Sequence, residues 1–276
     1  METSIWLHGW QPEPYWGVVF FGTLLFYNIQ RLSLSSQYSL EYPETRRGWI
    51  LKEQKKIKLI CWVGVMGTAW FMLHLSLLFQ VVSGLLGLGS LAYFLPGLQL
   101  RNYLGVKAFM VALVWAMVTL VVPLLLIKEV KGHGLTELLH SINGWSVWGC
   151  LFFERLLFML SLCIAFNIRD IEYDKSSGVR TMASVLGIST TKKTALLVLF
   201  VAWVCGLVGI VLWGCLGGVN KQTCTLALAM SASYVVSAFT LKNIRPDSTE
   251  LYYLFRIDGL MLLHSAFICP VFLMLQ

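Results

Sequence analysis

The stretch Ser146-Val-Trp-Gly-Cys-Leu-Phe-Phe-Glu154-Arg155-Leu-Leu-Phe-Met-Leu-Ser-Leu-Cys-Ile-Ala-Phe166 is apolar except for one adjacent pair of charges, and the polar string Asn167-Ile-Arg-Asp170-Ile-Glu-Tyr-Asp174 follows it at once. About 20 apolar residues rising 1.5 Å each cover a hydrocarbon core of roughly 30 Å. The stretch therefore reads as a membrane-spanning helix that reaches the membrane face at Asn167. Outward from it, residues 16–34, 59–79, 81–96, 107–127, 193–215, 222–241 and 255–275 form seven further apolar runs. The third run of the chain is short and Gly-rich, and a tight hairpin around Gln80 is expected to join it to the second. Composition agrees: of 276 residues, 57% are hydrophobic and 13% charged, against about 25% charged in soluble domains, and mean hydropathy is +0.72. A water-soluble enzyme, a disordered chain and a repeat solenoid are excluded. The expected fold is an all-α polytopic membrane helical bundle of about eight transmembrane helices, one domain over residues 1–276.

The formal charge of +7 points to membrane sidedness rather than to nucleic acid. Seventeen of the 21 Lys and Arg residues fall in or beside the loops that follow runs one, three, five and seven. Lys128, Lys131 and Lys221 lie on the opposite face, and Arg155 lies within a run. Basic residues mark the cytoplasmic side, so the loop after Phe166 is expected in the cytoplasm, both termini outside, and the protein in the plasma (inner) membrane. The segment before Tyr15 has no basic stretch and no small-residue cleavage site, and does not read as a signal peptide. The seven cysteines show neither Cys-x-x-Cys nor zinc spacing. They read as small apolar packers, with Cys215 and Cys224 the one pair that flanks a short loop.

The chemistry concentrates in Asn167–Gly187. Asp170 and Asp174 are spaced i,i+4, and Asn167 stands three residues earlier, so a helix continuing past the membrane face puts all three on one side. Neighbouring carboxylates repel unless a cation lies between them. Oxygen ligands of this kind suit a hard ion such as Mg²⁺. Arg169, Lys175 and Arg180 surround the pair and suit phosphate. Gly178 and Thr181 read as the turn and N-cap of a following short helix. A solvated charged loop with internal ion pairs is the other reading of the Asp spacing taken alone.

The full string Asn-x-Arg-Asp-x-x-x-Asp-x-x-x-Gly-x-x-Thr-x-x-x-x-x-Gly, from Asn167 to Gly187, resembles the second aspartate-rich motif of the UbiA-type intramembrane prenyltransferases. The resemblance covers about 20 residues closely and the rest of the chain loosely, through helix number and loop placement. It implies a helical bundle enclosing a lipid-open cavity. In such a bundle, Mg²⁺ and a polyprenyl diphosphate are held at the cytoplasmic face, and a small lipophilic acceptor is prenylated. It also implies that Asn167, Asp170 and Asp174 are metal or diphosphate ligands, with membrane lipid around them and no nucleic acid. The chain itself suggests no protein partner.

The family's first motif, Asn-Asp-x-x-Asp-x-x-x-Asp, belongs at the end of an earlier span. The stretch Asn28-Ile-Gln-Arg31-Leu-Ser-Leu-Ser-Ser36 stands in that place, with Ile29, Leu32 and Ser36 where the acids belong; it follows the first run where the family pattern has the motif after the second helix, so by this resemblance one N-terminal helix is expected to be missing. Losing one carboxylate cluster removes an anchor for metal, and metal clamps supply several kcal/mol in phosphate chemistry. Asn28, Arg31, Arg101, Lys107, Arg169 and Arg180 are the candidate diphosphate-binding residues, and a non-catalytic lipid-binding or scaffold protein of the same fold is the alternative. Polar groups within spans are costly and mark function by default. Glu154 and Asp258 are candidates for the cavity, as are Trp115 and Thr119 at i,i+4. Glu154 and Arg155 point apart and each requires a partner on another helix; His74 and His264 are available in type.

Overall fold

The computed structural model describes residues 14–33, 46–92, 105–124, 142–176, 180–217, 221–245, 247–249 and 251–273. Most of these residues are helical, with no strand among them. Among the described residues, four helices are long and apolar enough to cross a membrane: Val106–Leu124, Gly144–Arg169, Ile188–Cys215 and Lys221–Lys242. The protein is membrane-embedded. The described helices fall into two compact units, within Gln11–Arg101 and within Asn102–Gln276.

The first unit holds α1 (Pro14–Ser33), α2 (Arg46–Lys52), α3 (Gln54–Met72) and α4 (Leu77–Ala92). Helices α1 and α3 lie along one another, and glycine sets their separation. A Cβ on Gly17 would overlap the Phe71 ring, and one on Gly67 would overlap the Phe21 ring. Each helix thus gives a glycine to the other's aromatic side chain, and the two rings stack with centroids 5.8 Å apart. Such close backbone approach is how helices associate where lipid removes the usual hydrophobic drive. The break between α3 and α4 falls at residues 73–76, not around Gln80. There Leu73, His74 and Leu75 donate to Ala69, Phe71 and Met72, the last two through the tighter i→i+3 pattern that closes helices. Gln80 lies inside α4, its amide bonded to the Leu75 carbonyl at 3.0 Å.

The second unit begins with α5 (Val106–Ala116), continued by a π-helical turn, Met117–Val121. The turn has a local cause. Pro123 cannot donate to the helix, and its ring crowds the preceding turn; Val122 N–H reaches back five residues to Met117. Then come α6 (Ile142–Arg169), α7 (Ile171–Ser176), α8 (Met182–Leu186), α9 (Ile188–Gly217), α10 (Lys221–Lys242), a second π-helical turn at Tyr252–Ile257 and α11 (Gly259–Leu273). Helix α6 packs against both α5 and α9, and α10 packs against α9 and α11. The core between them is built from Phe158, Leu162, Ile168, Leu199, Met230 and Ile257, among others. Thr181 caps α8 as its sequence position predicts: its hydroxyl accepts from Ser184 N–H and its own N–H donates to Ser184 Oγ. Gly187 separates α8 from α9 at φ +81°, a conformation that side chains with a Cβ rarely adopt. Gly178 lies outside the described residues. Cys215 and Cys224 are free thiols.

Candidate functional site

Helix α6 carries the site because the helical repeat does not stop where its apolar stretch ends. Asp170 N–H donates to Phe166 and Asp174 N–H to the Asp170 carbonyl at 2.8 Å, so the helical repeat passes from α6 into α7. Asp170 and Asp174 therefore sit one turn apart, as the i,i+4 spacing requires. Asn167 is buried, and Asp174 is wholly buried.

Arg169 and Lys107 both meet Asp170. Arg169 grips it with Nε at 3.0 Å from Oδ1 and Nη2 at 3.2 Å from Oδ2. Lys107, from the first turn of α5, places Nζ 3.7 Å from Oδ2, close enough to act as a neighbouring charge but too long for a tight hydrogen bond. The Arg169 guanidinium also lies over the Phe166 ring at 4.8 Å and near the Tyr253 ring at 5.7 Å, which fixes its plane. Lys107 and Asp258 both act electrostatically on Cys163 of α6, two turns before Asp170, which puts Asp258 at the same end of the unit.

Tyr253 is fully buried beneath this cluster, its hydroxyl facing the Arg245 carbonyl at 3.4 Å. Burial pushes its phenol up from 10.0 to about 12; Asp170 adds to the rise and Arg169 opposes it. Because the folded value lies above the ordinary one, the stabilisation is complete below about pH 10 and is lost between about pH 10 and pH 12. A spectrophotometric titration of Tyr253→Phe should lose one late-ionising phenol and retain more folded protein above pH 10; an unchanged late phase would show that another tyrosine is responsible.

The remaining candidates divide. Arg180 is exposed. Asn28 and Arg31 belong to the first unit, where Arg31 Nη1 donates to Asn28 Oδ1 at 3.2 Å and the Asn28 amide donates to the Leu24 carbonyl at 2.7 Å. Arg101 lies outside the described residues. Trp115 and Thr119 are half-buried, and the Thr119 hydroxyl donates to the Trp115 carbonyl at 2.7 Å. Glu154 is buried deep in α6, bonded to Tyr234 at 2.6 Å and 3.4 Å from His264. His74 instead meets the Trp70 carbonyl of α3, one turn back along the chain. Tyr234 and Ser233, adjacent polar residues inside an apolar run, were the available signal for Glu154's further partners.

No family model, curated protein or solved structure matches the chain.

Proposed function

We propose that this chain is a membrane prenyltransferase-like protein of the UbiA type, with about eight spans and its Asp-rich helix end in the cytoplasm. On this reading it transfers a polyprenyl group from a polyprenyl diphosphate to a small lipophilic acceptor. The observation that supports it is the continuous helix from α6 to α7, which holds Asn167, Asp170 and Asp174 within two turns beside Lys107 and Arg169. The donor set is oxygen only, which fits a hard divalent cation. No group of three or more His, Cys, Asp or Glu side chains gathers among the described residues, so the amide of Asn167 and phosphate oxygens would have to complete the coordination. Asp170, Asp174 and Asn167 would hold Mg²⁺, which when bound supplies positive charge against the departing diphosphate. Lys107 and Arg169 would bind phosphate oxygens, and the flat, stacked Arg169 guanidinium would set their orientation.

A second reading, a non-catalytic lipid-binding or scaffold protein, is favoured by one observation. Asp170 is already gripped by Arg169 and approached by Lys107, so the chain supplies from its own side chains the cations that a catalytic site would take from metal. Binding of radiolabelled geranylgeranyl diphosphate to the detergent-purified chain separates the two. Binding that needs Mg²⁺, is lost in EDTA and weakens at least about tenfold in Asp170→Asn/Asp174→Asn is the result expected of the enzyme; tenfold is about 1.4 kcal/mol. Absence of binding, or binding indifferent to Mg²⁺ and to both substitutions, would overturn it in favour of the second reading.

A further inference from the structure

The middle of α6, α10 and α11 holds a second polar cluster, about 24 Å of helix rise from Asp170 at 1.5 Å per residue. Glu154 comes from α6, Ser233 and Tyr234 from α10 and His264 from α11, and each is at most 5% exposed. Tyr234 Oη donates to Glu154 Oε1 at 2.6 Å, and His264 Nε2 lies 3.4 Å from the same oxygen. On the other side of the ring, His264 Nδ1 is 2.8 Å from Ser233 Oγ, which is itself 2.7 Å from the Met230 carbonyl. Phe158 stacks on the imidazole with centroids 4.8 Å apart, and Tyr234 meets it edge-on at 5.5 Å.

The hydrogens in this chain of contacts can be counted. Ser233 has one hydroxyl hydrogen and two acceptors within reach. If it donates to Nδ1, the ring carries its hydrogen on Nε2, facing Glu154, and the set is complete with an ionised carboxylate. If it donates to the Met230 carbonyl, Nδ1 must carry a hydrogen to meet Ser233 Oγ. The contact between Nε2 and Oε1 then needs one more hydrogen, on the ring or on the carboxyl. The two arrangements use the same heavy-atom positions and differ by one proton.

We propose that Glu154 and His264 form a proton-binding site inside the membrane, with the Ser233 hydroxyl turning from His264 Nδ1 to the Met230 carbonyl as the proton is taken up. The titratable groups facing the pair are Tyr234 on α10 and Cys205 on α9, and Arg155 on α6 acts on Tyr234. Water is not needed to hold either state, since every polar contact of the ring is made by protein. Ser233, His264 and Glu154 also stand in the order of a nucleophile, base and acid. That use is ruled out here: Ser233 is wholly buried, and the amides around it are committed to the helix, leaving no cradle for an oxyanion. The inference does not rest on the prenyltransferase reading.

The test is nitrogen NMR of the full chain in micelles with labelled histidine, the His264 signals assigned by their loss in His264→Gln. Between about pH 4 and pH 10, which brackets the ordinary carboxyl and imidazole ranges, His264 should pass once from a ring with hydrogen on Nδ1, alone or on both nitrogens, to the form with hydrogen on Nε2 only. Glu154→Gln removes the oxygen that shares the proton with His264, so the change of ring hydrogens should no longer occur at the wild-type pH. Ser233→Ala should leave the neutral ring no longer fixed in the Nε2–H form. A step at the same pH in Glu154→Gln would overturn the proposal. So would a wild-type ring that keeps one protonation pattern throughout, a result that needs no variant to fold.

Discussion

Glu154→Ala should lower the stability of the full chain by about 2–4 kcal/mol, measured as the midpoint of reversible denaturant unfolding in micelles. Three effects contribute. The Tyr234 hydroxyl and His264 Nε2 lose the oxygen they share, and a polar group orphaned in an apolar interior costs about 1–3 kcal/mol. The volume of the lost side chain becomes a void between α6 and α9, because Gly206 has no side chain to fill it; a Cβ there would lie 2.9 Å from Glu154 Cγ. Against these stands the modest worth of interhelical hydrogen bonds in membranes, averaging about 0.6 kcal/mol, which holds the sum below what the same cluster would lose in a water-soluble core. Glu154→Gln keeps the volume and an acceptor for Tyr234, so its loss should stay below about 1.5 kcal/mol. The double variant Glu154→Ala/His264→Phe should lose less than its two parts added, because the second change removes a group the first leaves stranded. Equal losses from the Ala and Gln variants would mean that the cluster carries no stability of its own.

What the sequence made legible follows from which interactions are local. The apolar run at 146–166 is found inside α6 (Ile142–Arg169), and the i,i+4 spacing of Asp170 and Asp174 survives because the helix continues. Thr181 was readable as a cap because its partner, Ser184, is three residues away. Helix ends were read less well. The run at 193–215 begins five residues late, since hydropathy marks where lipid is met, whereas Gly187 at φ +81° decides where α9 starts. Part of the difference between eight apolar runs and the four helices among the described residues that are long and apolar enough to cross a membrane is local too: α3 opens on Lys55, Lys56 and Lys58, and α4 is 16 residues long. Glu154's need for an interhelical partner was legible, and His264 was available by type. Tyr234, 80 residues away, was not, because no local pattern records the rotation of α6 against α10. Arg169 and Asp170 pair although adjacent, because Asp170 stands at the junction of α6 and α7 and the Arg side chain is long enough to turn back to it.

Gly64→Val should cost more than about 3 kcal/mol in the same unfolding measurement, whereas Gly22→Ala, on the partner helix, should be neutral or stabilising by up to about 1 kcal/mol. Both sites lie inside helices, where replacing glycine gains helix propensity, so the difference isolates packing. A Cβ at position 64 would lie 2.9 Å from Leu25 Cβ, 3.1 Å from its Cα and 3.2 Å from its N, while nothing lies within 4 Å at position 22. Overpacking commonly costs 1–3 kcal/mol when side chains can turn aside. Here the obstructing atoms are the backbone and Cβ of α1, which no rotamer moves, so α1 and α3 must separate. Separation would also lift Phe71 off Gly17 and Phe21 off Gly67, because the same interhelical distance seats both rings. Gly64→Ala should fall between the two, at about 1–2 kcal/mol, because its single methyl meets the same atoms with less reach. Equal effects of alanine at positions 22 and 64 would show that α1 and α3 are not held by this contact.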